Sequence, residues 1–376
     1  MATRKDEGMK LRFNRQETAD VLAAICSIAP IRTTKDILKC VQVEAGADVM
    51  LLSATNLELS LRCGVAQVEV ETPGKTIVVA DTLAKIVREC SDEILSLETQ
   101  DNLLHIRGEG SHFQIVTQDE ADFPAIADMD GEADLVVEHG MLQRLIEFTS
   151  FAAARESTRY AINGVLWELD GEKLSLAATD GRRLSLATGK VTTEASSKLP
   201  DIIVPGKALN LFARLPADPD TRVGVKMASN QLLLDMGRAT LSTALVEGQF
   251  PKYQDVIPTD CDKVATINTA EFLGALRRAS LLTSEESKGV RFAFSEGMLT
   301  LSSRAPEQGE ATISIPVQYA HEPLEIGFNP VFFLEVLRVA QTEEITLAVK
   351  EANRPGVIRV GDDFIYVVMP VNLTTG

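Results

Sequence analysis

Three times along the 376 residues the same order of patterns recurs, and the spacing is nearly constant. Thr55-Asn56 returns as Thr179-Asp180 after 124 residues, and Ala80, Pro205 and Pro330 stand 125 apart. Self-similarity at a fixed offset marks duplicated units, and it constrains the fold more than any local motif. The period is far longer than a solenoid repeat, so each copy is expected to be a domain of its own.

Each copy opens with the 3.6-residue pattern of an amphipathic helix. Leu22, Ile25 and Ala29 share a face in the first, Leu142, Leu145, Ile146 and Thr149 in the second, and Phe272, Leu276 and Ala279 in the third. Alternating strands follow: "VMLLSATNLELSLRC", "KLSLAATDGRRLSLATG" and "MLTLSSRAPEQGEATISIPV". A second helix then begins near residues 81, 206 and 330, with Asp81 expected to cap the first and Asn329-Pro330 to start the last. Each copy ends on a related signature, "DFPAI", "QFPKY" or "VVMPV". The reading is three α+β domains, 1–130, 131–259 and 260–376, separated by acidic, turn-rich stretches at 128–134 and 257–263.

Catalytic signatures are missing. No G-x-S-x-G, H-E-x-x-H or G-x-G-x-x-G opens a helix. "TPGKT" at 72–76 imitates a phosphate loop, yet it has Glu69 where the first glycine belongs and is followed by a strand-like "IVVA". His105, His112, His139 and His321 stand apart, and the five scattered cysteines read as buried reduced thiols, so no metal site is expected. Asp362-Asp363 beside Gly361 reads as a hairpin turn. One stretch keeps an enzymatic alternative open: Asp180 with Arg182 and Arg183 acting on a phosphorylated substrate, although the sequence names no partner for Asp180.

The net charge of −17 argues against a general affinity for nucleic acid. The six helical segments nevertheless hold ten Lys and Arg against eight Asp and Glu, a net +2, so the rest carries −19. Positive helices on an otherwise acidic protein admit a polyanion to one face and repel it elsewhere. The first residues, "MATRKDEGMKLRF", lack the apolar stretch of a signal peptide, and no run is long enough to span a bilayer; the expected location is the cytoplasm.

In order along the chain, "RYAINGVLWE" (159–168), "ATDGRRL", "EGQFPKYQDVIP" (247–258), "KGVRF" (288–292) and "YVVMPVNL" (366–373) resemble the bacterial sliding-clamp family, the β subunits of the replicative DNA polymerase. The resemblance runs from about Met9 to Leu373. It implies three clamp-type domains with helices on an inner face and antiparallel sheets outside, and a head-to-tail homodimer closing as a ring of six domains. Such a ring encircles double-stranded DNA without reading its sequence and tethers the polymerase, with no catalysis, cofactor or membrane.

The family's groove for linear peptides carries over onto Ile162, Thr179, Gly181, Arg182, Arg183, Leu184, Pro251, Val256, Val367, Met369, Pro370, Val371 and Leu373. The implied peptide partners are the polymerase catalytic subunit, the clamp loader, and other polymerases and repair proteins. Arg32 and Lys207 match DNA-facing positions, and Arg88, Arg144, Arg214, Arg277 and Arg278 join them by helix placement. Phe113, Leu281 and Leu282 match the ring interface. The chain departs from the pattern at Ala161, where an aromatic is frequent, and at Asp81 and Asp255, where basic residues occur. It also continues past Leu373 as Thr374-Thr375-Gly376.

Overall fold

The structure, a computed structural model, describes residues 8–30, 32–155, 161–193, 200–283 and 289–373. Arg159-Tyr160 and Lys288 of the quoted segments, the first seven residues and Thr374-Thr375-Gly376 lie outside the described residues. Six α-helices occur among them: α1 (Arg15–Cys26), α2 (Ala80–Glu89), α3 (His139–Thr149), α4 (Gly206–Phe212), α5 (Thr269–Ala279) and α6 (Pro330–Val339). They fall two to each sequence copy, with strands between and after them, as the repeat requires.

Three of these helices begin on an asparagine whose side chain accepts a free backbone N–H. Asn14 takes the Glu17 N–H, Asn268 that of Glu271 and Asn329 that of Val331, each at 3.0 Å. Asp81 does not cap α2. The cap position is Val79, and Asp81 sits inside the first turn, paired with Lys85 one turn on at 2.6 Å.

The described residues divide into two compact units. One comprises those within Met1–Gly140, Thr192–Ser197 and Arg214–Leu245, the other those within Met141–Val191, Lys198–Ala213 and Val246–Gly376. The middle copy thus lends strands to both. The first unit holds a five-stranded sheet and a nine-stranded sheet, the second an eight-stranded and a four-stranded sheet, all built of antiparallel pairs.

Each large sheet contains one seam where two sequence copies meet. In the nine-stranded sheet, Leu59–Val65 of the first copy pairs with Ala239–Ala244, the last strand of the middle copy. In the eight-stranded sheet, Arg183–Lys190 of the middle copy pairs with Phe364–Val368, the last strand of the third, with Leu184 opposite Val367. One device has been used twice. The hairpin of one copy receives the closing strand of the next, which removes two sheet edges at each seam.

Packing follows from the helical faces. Leu22 and Ile25 of α1 and Leu83 and Val87 of α2 are buried in the first unit. In the second, Phe272 of α5 and Phe333 of α6 meet Phe292 and Phe328 from the four-stranded sheet, with ring centroids 4.9–6.0 Å apart. All four rings are fully buried, each stabilising the fold by about 2–3 kcal/mol. "TPGKT" continues into the strand Gly74–Val79 rather than a helix, and Gly361 forms its turn at φ 59°.

Candidate functional site

The segment Thr179–Arg183 is a tight turn that holds itself together. The Thr179 hydroxyl donates to the Arg183 carbonyl at 2.5 Å and accepts the Gly181 N–H at 3.1 Å. Asp180 Oδ1 accepts the N–H groups of Arg182 and Arg183 at 2.9 and 3.1 Å. Gly181 takes φ +84°, a left-handed conformation that a residue with a Cβ adopts only with strain. Short polar side chains closing on their own backbone are what Thr and Asp do at turns. Across the seam, the Met369 N–H donates to the Arg182 carbonyl at 2.9 Å and ties the end of the last strand to this turn.

Beside the turn lies a cavity of about 250 Å³, within the second unit. Ile162, Leu184, Pro251, Val256, Val367 and Met369 supply its apolar wall, with Thr179, Gly181, Arg182, Arg183, Lys252 and Tyr253. Its floor continues into a buried cluster that includes Ala161, Leu166, Ala177 and Ile203. Val256 is 54% exposed and Met369 44%, unusual values for apolar side chains flanking a hollow. Exposed apolar groups around a concave site favour an apolar ligand, and methionine adapts to its shape. Tyr253 is fixed by donating its hydroxyl to Glu168, and burial raises its phenol above the ordinary value.

Ten of the thirteen groove residues carried over from the sequence line this cavity. Pro370, Val371 and Leu373 do not. The chain turns after Met369, the Val371 N–H bonds to Gly327, and Leu373 lies where a side chain at 327 would collide with it. Lys252 and Tyr253 line the cavity without having been singled out as groove residues, although "QFPKY" had already marked their segment.

Arg183 has a different part from its neighbours. Its guanidinium bonds Asp180 Oδ2 at 3.1 Å, the Phe151 carbonyl at 2.7 Å, Glu335 of α6 and, more weakly, the Tyr366 hydroxyl at 3.5 Å. Phe332 and Phe151 stack on it, with ring centroids 4.6 and 5.5 Å away. No sequence spacing announced this cage, because its members come from four separate segments. The enzymatic alternative gains no support from this geometry, since both oxygens of Asp180 are engaged by the turn and by Arg183.

The other candidates are dispersed. Arg32, Arg88, Arg144, Lys207, Arg214, Arg277 and Arg278 are all exposed. Arg88 pairs with Glu89 at 3.2 Å, Arg278 bonds the Gly274 carbonyl, and Arg144 lies over Phe148. Phe113 is half-buried on His112–Val116, which forms one edge of the five-stranded sheet; Leu281 is 74% exposed and Leu282 half-buried after α5. His105 and His112 are not isolated. Adjacent strands stack the rings and bring Nδ1 of one within 3.0 Å of Nε2 of the other. Among the described residues no three His, Cys, Asp or Glu side chains gather as metal ligands, and no helix is long and apolar enough to cross a membrane. Cys63 is buried, which pushes its thiol up to about 12.

Family models for the DNA polymerase III beta subunit match in sequence order: the N-terminal domain at 9–127, the central domain at 136–252 and the C-terminal domain at 254–372. The beta sliding clamp of Pseudomonas putida is 31% identical over 368 residues, covering 97% of this chain and all of its own. A Pseudomonas aeruginosa sliding clamp crystallised with griselimycin superposes with a TM-score of 0.90 at 30% identity, covering 97% of this chain and all of that one. The Bacillus subtilis clamp gives 0.91 at 25% identity with the same coverage.

Proposed function

The chain belongs to the DNA polymerase III beta subunit family, the beta sliding clamps, and from that premise we propose that it works as a ring of two copies around duplex DNA. A sliding clamp acts by tethering rather than by chemistry, so processivity needs no catalytic group. The domains are 1–130, 131–259 and 260–376, each beginning at or close before the strand that leads into the first helix of its copy.

The observation that carries the ring is a pair of open sheet edges. His112–Val116 pairs on one side only, and so does Gly309–Pro316 of the four-stranded sheet. Phe113 and the exposed Val116 accompany the first edge, and Leu281 with Leu282 lies near the second. Two unlike edges on one chain join head to tail, and two copies close the ring when the rotation allows it. The helices of all three domains then line the hole, with Arg32, Arg88, Arg144, Lys207, Arg214, Arg277 and Arg278 toward the phosphates. A modest positive charge inside an acidic protein suits sliding, since a tight grip on phosphate would oppose it.

The cavity beside Thr179–Arg183 is the docking groove for a linear peptide, through which the replicative polymerase, the clamp loader, and other polymerases and repair proteins engage the ring. Its apolar wall anchors the peptide and the turn orients it.

The test is topological. Loaded onto nicked circular DNA, the protein is expected to stay bound through a high-salt wash and to leave when the circle is cut. Equal, salt-sensitive retention on circular and linear DNA would show ordinary surface binding instead.

A further inference from the structure

We propose that His105 and His112 form a two-histidine chelate for a late first-row divalent metal ion such as Zn²⁺ or Ni²⁺. The bound ion clips the edge strand His112–Val116 to its neighbour Leu103–Arg107. The inference rests neither on the groove nor on the closing of the ring.

The register of the two antiparallel strands brings the rings together. His105 lies opposite Gln114 and Arg107 opposite His112, so the histidines are diagonal neighbours on one face of the five-stranded sheet. His105 Nδ1 stands 3.0 Å from His112 Nε2, with ring centroids 5.3 Å apart and planes 20° from parallel. Two imidazole nitrogens that bind one ion at about 2.0–2.1 Å are separated by about 3.0 Å at a right angle and about 3.4 Å at the tetrahedral angle. The pair already has the shorter of these spacings, and imidazole suits ions of this class. His105 is only 7% exposed and supplies a fixed ligand; a small turn of the exposed His112 aims both lone pairs at one point. So little freedom is lost on binding. Whichever ring donates the shared hydrogen in the free, neutral pair changes to its other tautomer when the ion takes both nitrogens, so no net proton is released.

The charges around the pair do not repel a cation. Arg107 stands opposite His112 but bonds Glu98 at 2.6 Å, and Glu98 itself stands opposite His105. Lys10, opposite Glu98 on the next strand, pairs with Glu71 at 2.5 Å. Two acids balance two bases on this face. Successive residues of a strand point to opposite faces, so Phe113 lies on the other side and leaves His112 open to solvent. The strand pairs on one side only, and its bonds to Leu103–Arg107 are what an ion bridging the two strands reinforces.

The experiment titrates the full chain with zinc chloride, and separately with nickel chloride, in a non-chelating buffer at about pH 7.5. Calorimetry is expected to show one ion per chain, bound at least about tenfold more weakly by His112→Gln. His321→Gln, which removes an exposed histidine elsewhere, should bind as the unsubstituted chain does. With zinc at about ten times its dissociation constant, amide exchange along His112–Val116 is expected to slow about tenfold, and not in His112→Gln. Circular dichroism of that variant separates lost binding from a lost fold. Binding that survives His112→Gln, or that His321→Gln removes, places the ion elsewhere and overturns the proposal. No binding at about millimolar ion overturns it too. Unchanged exchange in the metal-bound protein overturns the clip.

Discussion

The guanidinium of Arg183 lies between two aromatic rings, and its N–H groups point at Asp180, Glu335 and the Phe151 carbonyl. Arginine suits this site because its charge is permanent and its donors form a rigid fork. Lysine would offer one compact ammonium to partners that lie in several directions. Arg183→Met is expected to lower stability by about 3–5 kcal/mol, since it leaves Asp180 and Glu335 without their cation. The check is a denaturant titration followed at the lone Trp167, with Arg183→Lys falling between the two. Replacing the exposed Arg182 by Met should change the same midpoint very little, within about 0.5 kcal/mol. The sequence presents both arginines as equals in "GRR". Which one is structural and which is available depends on neighbours more than thirty residues away, at Phe151, Glu335 and Tyr366.

At the scale of the element, helices were the most legible part of the chain. Apolar residues three and four apart fixed the buried faces of α1 and α5, and Asn329-Pro330 fixed where α6 begins, whereas the caps at Asn14 and Asn268 emerged only from the structure. Asn268→Ala is expected to cost about 1 kcal/mol, read as a lower unfolding midpoint, because the Glu271 N–H loses its acceptor. Phe333→Ala should cost more, about 3–5 kcal/mol, for a ring wedged among three other phenylalanines. Strand partners were less legible. Alternation locates Arg183–Lys190 and says which side chains share a face, yet it is silent on what lies alongside. The pairing of that strand with Phe364–Val368, about 180 residues later, brings Leu184 and Val367 together in the wall of the cavity. The matching seam in the first unit repeats the geometry closely. The Ala244 N–H donates to the Glu58 carbonyl there, as Met369 does to Arg182, and Asn56 closes the turn as Asp180 does. There Leu57 occupies the left-handed position of Gly181 at φ 78°, and Glu58 replaces Arg182.

For the whole molecule, function lies in closure rather than in any one site. A ring retained by topology tolerates weak contacts to DNA but depends on its interfaces, so substitutions there should have the larger effect. Leu281→Asp, placing a charge at a 74% exposed leucine, is expected to weaken self-association at least about tenfold without unfolding the chain. Sedimentation across a concentration series reads the shift from dimer to monomer. A single exposed cation such as Lys207→Ala should leave the dimer intact.

The sequence by itself determined the triplication, the helical faces, the turn at Thr179–Arg183 and the absence of a catalytic signature. These are local properties: periodicity, capping and short-range side-chain bonds are written in neighbouring residues. Tertiary structure alone decided that Arg183 is enclosed while Arg182 and Lys252 are exposed, that His105 and His112 touch, and that Val371 and Leu373 pack against Gly327 and do not line the cavity. Each of those outcomes depends on which distant strands share a sheet. A chain records that choice in the summed packing of many residues, not in the spacing of a few.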